Sequence, residues 1–209
     1  MTPADWPWYE VVEGDSLDQG DIIPGCLVLH AVEGENGAAA VADLRPVTAL
    51  VLTQTCDLAQ SKVESVIVCA VWPVTTVVLQ DPVLRKEAAE AAQRNKLSMP
   101  AVDAADADAR ITEIIDRCKA IKKELNAIIK GERPPFAMLE KHDGVPSAAL
   151  SMASFQHVYS LPRPVLARMA QKASPRLRLL PPYREHVSQA FGRYFSRIGL
   201  LQDIPRYPT

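Results

Sequence analysis

Val47-Thr48-Ala49-Leu50-Val51-Leu52-Thr53, then Gln54-Thr55-Cys56-Asp57-Leu58-Ala59-Gln60-Ser61-Lys62, then Val63-Glu64-Ser65-Val66-Ile67-Val68-Cys69-Ala70-Val71-Trp72, is the stretch on which the fold turns. Its two apolar ends are short, rich in β-branched residues and flanked by polar ones, which describes strands and not helices. Toward the N-terminus, Ile22 and Ile23 and then Cys26 to Val32 form an earlier apolar stretch, followed by Glu33-Gly34-Glu35-Asn36-Gly37. Asn-Gly accepts positive φ at both central positions of a type I′ turn, so a hairpin is predicted, with Ala38 to Leu44 as its return strand. Four antiparallel strands are therefore expected at the start of the chain.

The character changes between Pro82 and Pro134. Glu87 to Ala92 is rich in alanine and glutamate, and Ile111, Ile114, Cys118, Ile121, Leu125 and Ile128 recur at spacings of three and four. That periodicity predicts a helical hairpin, Asp81 to Asn95 and Ala104 to Lys130, with Met99-Pro100 at the turn and Asp103 as a cap. Its apolar seam has two readings, an internal core or a face for a partner helix or a second copy. Strand character returns at Phe136 to Leu139 and Ala148 to Tyr159, where Phe155, His157 and Tyr159 alternate with Gln156, Val158 and Ser160. Pro164 to Lys172 suits a short helix and Arg176 to Leu180 an extended segment. Pro181-Pro182 then opens a helix to about Ile198, with Gly199 as its C-cap. Tyr183, Val187, Ala190, Phe191, Tyr194, Phe195 and Ile198 share one face of that helix; His186, Gln189, Arg193 and Arg197 share another. The fold class is α+β: a β domain over 1–80 and 134–160, a helical hairpin inserted at 81–133, and a basic, amphipathic helical segment at 161–209.

Composition narrows the function. The 209 residues are 48% hydrophobic and 23% charged, as in a soluble globular protein. No apolar run reaches the roughly 20 residues that span a bilayer, and Met1 to Glu10 lacks a basic region leading into an apolar one, so a cytoplasmic location and no membrane partner are expected. Neither GxGxxG nor GxxxxGK[ST] occurs, which removes the usual nucleotide loops. The net charge of -2 hides a strong polarity. Residues 1–60 hold ten acids against Arg45 alone; residues 161–209 hold nine bases, eight of them arginine, against Glu185 and Asp203. Two readings are open: the basic end folds back on the acidic start, or it projects toward nucleic acid or an acidic protein. On the second, Arg184, His186, Arg193 and Arg197 are the candidate anion-binding residues, with a homodimer as a further possibility.

Thr53-Gln54-Thr55-Cys56-Asp57-Leu58 places a thiol and a carboxylate where a strand should end. Cys56 and Asp57 are therefore candidate catalytic residues. A nucleophilic Cys56 needs a base such as His30, His142 or His157, and adjacent Asp57 opposes thiolate formation; the alternative is a turn in which Asp57 caps backbone amides. The four cysteines have no CxxC spacing, which argues against zinc, and neither a metal nor another cofactor is expected. His142-Asp143 suits a solvated loop, His157 a packed position in the β domain, and Trp6, Trp8 and Tyr9 a staple holding the N-terminal arm to the core.

Gly20-Asp21-Ile22, the Asn36-Gly37 hairpin, the strand Ala49-Leu50-Val51-Leu52-Thr53 and Val66 to Trp72 followed by Pro73-Val74-Thr75-Thr76 together resemble the PemK/MazF toxins over about residues 19–77. The resemblance implies an SH3-like small antiparallel barrel and a metal-independent endoribonuclease that is dimeric and restrained by an antitoxin. It points to Arg45, which precedes Pro46, and to Thr75 or Thr76 as the catalytic pair. In this chain Val47-Thr48 intervenes before Ala49, a shift that moves the arginine by roughly 7 Å along the strand. Arg45 and Thr75 also leave RNA cleavage without a clear base. The helical insertion and the arginine-rich tail are foreign to the small toxins. Two functions follow: a non-catalytic module gripping an anion or a partner, RNA before DNA, in a bacterial toxin-antitoxin or phage-defence setting; or a diverged PemK/MazF-like ribonuclease.

Overall fold

A computed structural model describes residues 7–32, 41–60, 62–101 and 106–196. In chain order its elements are β1 (Tyr9–Val12), β2 (Asp21–Val32), β3 (Val41–Val51), α1 (Thr55–Ala59), β4 (Ser65–Pro73), α2 (Val74–Gln80), α3 (Pro82–Arg94), α4 (Ala107–Arg117), α5 (Lys119–Ile129), β5 (Phe136–Leu139), β6 (Ser151–Pro162), α6 (Arg163–Lys172), β7 (Arg176–Leu179) and α7 (Tyr183–Phe195). The protein is α+β. Its strands form one antiparallel sheet in the order β1-β7-β2-β3-β4-β6-β5, which stays open, with β1 and β5 at its edges.

From Val41 of the expected return strand to Val51 of the expected strand Val47 to Thr53, the described residues form one continuous strand, β3; residues 38–40 lie outside the described residues. Pro46 does not interrupt it because it pairs with Leu27 of β2 at a level where β4 has not yet joined; β4 enters only at Thr48, opposite Val71. A proline is tolerated where one side of the strand has no ladder to supply. The Asn36-Gly37 turn lies outside the described residues. At the far end of β4 the chain turns at Pro73 into α2, so Thr75 and Thr76 are helical and do not extend the strand.

Among the described residues the insertion has three helices, α3, α4 and α5, in place of a hairpin, and α2 precedes it. Asp81 caps α3 by accepting from the Val83 and Leu84 amides at 2.9 and 2.8 Å, a contact type worth about 1 kcal/mol. The long second helix breaks at Cys118, whose backbone is extended (φ −103°, ψ 102°), into α4 and α5. Its apolar seam is nevertheless one internal core. Ile111, Ile114, Cys118, Ile121, Leu125 and Ile128 bury together with Ala88, Ala91 and Ala92 of α3 and with Val74, Val78 and Leu79 of α2. Breaking the helix lets both halves lay that stripe on α3.

Each face of the sheet carries its own core. On one, Ile22, Leu50, Cys69, Phe155, Leu177 and Leu179 pack under α7, which contributes Val187, Phe191 and Tyr194. On the other, Ile23, Cys26, Ala49, Val51, Val66 and Val68 pack under Leu166 and Ala170 of α6 and Leu58 of α1. Residues from 161 onward thus supply a helix to each face, and β7 lies inside the sheet between β1 and β2. The two edges approach each other without pairing: the Tyr9 hydroxyl on β1 donates to the carbonyl of Glu140, just past β5, at 2.6 Å.

Candidate functional site

The arginines of the basic segment divide by element. On β7, alternation sends Leu177 and Leu179 to the α7 side and Arg176 and Arg178 to the opposite one. There they meet Asp21, which is fully buried at the start of β2. Arg176 Nη2 lies 3.0 Å from Asp21 Oδ2, and Arg178 grips both carboxylate oxygens through Nε and Nη2. The Asp18 amide also donates to Asp21 at 3.0 Å. Arg176 further donates to the carbonyls of Gly14 and Ser16, while Arg178 faces Glu10 at 3.8 Å and Asp18 at 4.0 Å. Acids from the start of the chain thus neutralise these arginines within the molecule. Arg184 pairs with Glu185 at 2.9 Å, and its stem lies on Gly20. Gly20 has φ +89°, and a Cβ there would stand 3.0 Å from the Leu179 Cβ. Close packing of β7 on the β2 entry therefore requires this glycine.

His186 and Arg193 remain exposed on α7 and form no ion pair among the described residues; Arg197 lies outside those residues. They line a groove of about 750 Å³ between α7, α5 and β5.

Cys56 stands exposed on α1, and its thiol lies 3.6 Å from the Gln54 side-chain oxygen and 3.8 Å from Asp57 Oδ1. Both neighbours are acceptors, and neither is a base positioned to take the thiol proton as a histidine would be. The histidines weighed as its base have other company, His142 beside the Tyr9 ring and His157 beside Trp72. Asp57 caps no backbone amide in the described residues; α1 instead uses Leu58 to plug the core. Burial pushes the Cys26 thiol up to about 11 and that of Cys69 up to about 12, so both pack as small apolar groups. No group of three or more histidine, cysteine or acidic side chains stands close enough together to hold a metal ion, among the described residues.

Arg45 and Thr75 are not brought together. Thr75 is buried on α2, where its hydroxyl donates to Asp108 of α4. Arg45 is half-exposed on β3, pairing with Asp43 at 3.0 Å. Its charge acts instead on Tyr159 of β6. The β4–β6 register passes from Cys69 opposite Val158 to Ala70 opposite Ser154, so Phe155, Gln156 and His157 form a bulge with no β4 partner. Phe155 turns into the α7 core, its ring 5.6 Å from that of Phe191. His157 is set edge-on to Trp72 with ring centroids 4.5 Å apart, and its Nδ1 shares a hydrogen bond of 3.1 Å with Ser154 Oγ.

Two side chains of the β2–β3 ribbon act on this part of β6. Burial and then the charge of His30 on β2 hold the His157 imidazole below its usual value. Burial pushes the Tyr159 hydroxyl up, against the opposing pull of Arg45. His30 also has a buried Nδ1 with no hydrogen-bond partner. At the bulge His157 thus touches Ser154 and Trp72, and the charges of His30 and Arg45 act on His157 and Tyr159 respectively. Reading the sequence alone places His157 in packing and considers His30 only beside Cys56. The available signal was that both histidines fall in strands; the bulge that unites them has no local marker.

Compared with known proteins, the chain matches no protein-family model and no curated protein sequence.

Proposed function

We propose that the protein cleaves single-stranded RNA by general acid–base catalysis at the cluster of His30, Arg45, Trp72, Ser154, His157 and Tyr159. The observation that carries this reading is that the β2–β3 ribbon sets His30 against His157 in the β6 bulge and Arg45 against Tyr159 just beyond it. It supplies the base that Arg45 and Thr75 lack.

With a proton on Nδ1 donated to Ser154, the His157 imidazole presents the lone pair of Nε2. Its lowered pKa keeps it neutral at neutral pH, the state a base requires. His157 takes the proton of a ribose 2′-hydroxyl, whose oxygen attacks the neighbouring phosphorus. The bond to the 5′-oxygen breaks, and that oxygen leaves with a proton from His30. The products are a 2′,3′-cyclic phosphate and a 5′-hydroxyl. Arg45 exchanges Asp43 for the phosphate and balances its charge in the transition state. Trp72 offers a ring face for a base. RNA is favoured over DNA because only RNA carries the attacking hydroxyl.

The same reading treats the sheet as a diverged SH3-like barrel of the PemK/MazF kind, its edges joined through Tyr9 and Glu140 in place of a strand ladder. Asp21 of the Gly20-Asp21-Ile22 motif then serves the fold and Arg45 the chemistry. A cytoplasmic toxin-antitoxin or phage-defence role accords with this relationship.

The test is incubation of the purified protein with an unstructured RNA oligonucleotide in the presence of a chelator, followed by end-group analysis. Cyclic-phosphate ends are expected, with a loss of roughly 10²–10⁴ in rate for His157→Ala and for His30→Ala, the range of a general acid or base. Retention of RNA without cleavage would favour a binding module, and cleavage unaffected by either substitution would overturn the assignment.

A further inference from the structure

From the groove between α5, β5 and α7, we infer a docking site for an acidic peptide segment of a partner protein, anchored by apolar side chains. The groove's volume, about 750 Å³, lies within the roughly 300–1,000 Å³ of clefts that hold ligands. Ile128, Ile129, Phe136, Met138 and Leu150 line it, and Ile129 is 65% and Leu150 37% exposed, an apolar surface that water solvates poorly.

The rim has the opposite character. Lys122 of α5 and Lys130, its C-cap, stand on one side, His186 and Arg193 of α7 on the other. Lys122 is partly neutralised by Asp116 at 3.4 Å, whereas Lys130 and Arg193 form no ion pair among the described residues. The basic margin continues along α5 through Lys119 and Lys123 into an adjoining cleft. Asp116 and Glu140 are the acidic members of the lining. An apolar trough between two cationic walls is complementary to a chain that alternates large apolar side chains with carboxylates.

With Arg176 and Arg178 neutralised inside the fold, Arg193 is, among the described residues, the arginine of the basic segment that lines this groove. One wall, α5, belongs to the helical insertion, so the groove exists because the insertion packs beside α7. The site is separate from the His30–Arg45–His157 cluster and does not depend on the ribonuclease reading.

A fluorescent synthetic peptide with alternating glutamate and leucine tests it, beside the same peptide with glutamine for glutamate, polyglutamate, and a short single-stranded RNA. The acidic peptide should bind saturably, weakening with salt. The double variant Lys130→Glu with Arg193→Glu and the single variant Ile129→Asp should each weaken it by roughly tenfold or more, with the melting temperature unchanged. Four results would overturn the inference: no binding of the acidic peptide, equal binding of the glutamine peptide, equal binding of polyglutamate, or displacement of the peptide by RNA.

Discussion

Arg176 and Arg193 come from one basic stretch and end in opposite states. Arg176 lies on an interior strand, 1% exposed, with its guanidinium shared among Asp21 and two carbonyls; Arg193 lies on the outer face of a surface helix. The difference comes from what each element packs against. A strand between two others hands alternate side chains to both faces, so burying Leu177 and Leu179 obliges Arg176 and Arg178 to find partners on the other side. A surface helix can leave a whole stripe in water. Charge polarity along a chain therefore says little about which charges are available until the elements are placed.

The largest test of that contrast is Asp21→Ala, which strands two arginines, one of them fully buried. A loss of about 3–5 kcal/mol in urea unfolding is expected, as for removal of one partner from a buried pair. A loss below about 1 kcal/mol would mean that the pair is replaceable and the contrast is wrong. Next comes Gly20→Ala, which forces a Cβ into left-handed backbone against Leu179 and should cost about 1–3 kcal/mol. Arg193→Ala should change stability by no more than about 0.5 kcal/mol in the same assay, as for a surface residue away from packing.

His157 sharpens the comparison through pH. Its folded value is depressed, so the unfolded chain binds the proton more tightly. The stability it contributes is present above the ordinary histidine value of about 6.5 and is lost as pH falls through the lower folded value. Melting between neutral and mildly acidic pH should show this slope, and His157→Gln should flatten it. The ascending limb of any cleavage rate should likewise lie below the usual histidine range, since the neutral imidazole is the active form. The smallest expected effect is Cys56→Ser: a thiol between two acceptors has no role in this scheme, and cleavage should be unchanged.

The elements themselves were legible where one face decides them. The short apolar, β-branched runs of β2, β3 and β4 and the 3-4 spacing of Ile111 to Ile128 report burial that is local in sequence. The join of two expected strands at Pro46 was not legible, because proline's missing donor matters only if a neighbour strand stands opposite, and β4 begins two residues later. The break at Cys118 escaped for a similar reason. The seam's spacing is the same for one helix or two, and only α3 settles how the stripe is laid down.

What the amino-acid order determined by itself is the α+β class, the run of strands, the insertion between Pro82 and Pro134, and the basic face of the last helix. These follow from propensity and periodicity over short windows. Tertiary structure alone decided that Asp21 consumes two arginines, that Thr75 is buried on α2 and not beside Arg45, and that the charge of His30 acts on His157. Those outcomes depend on strand order and on one bulge, and pairing across more than a hundred residues leaves no trace in the local pattern that a single chain displays.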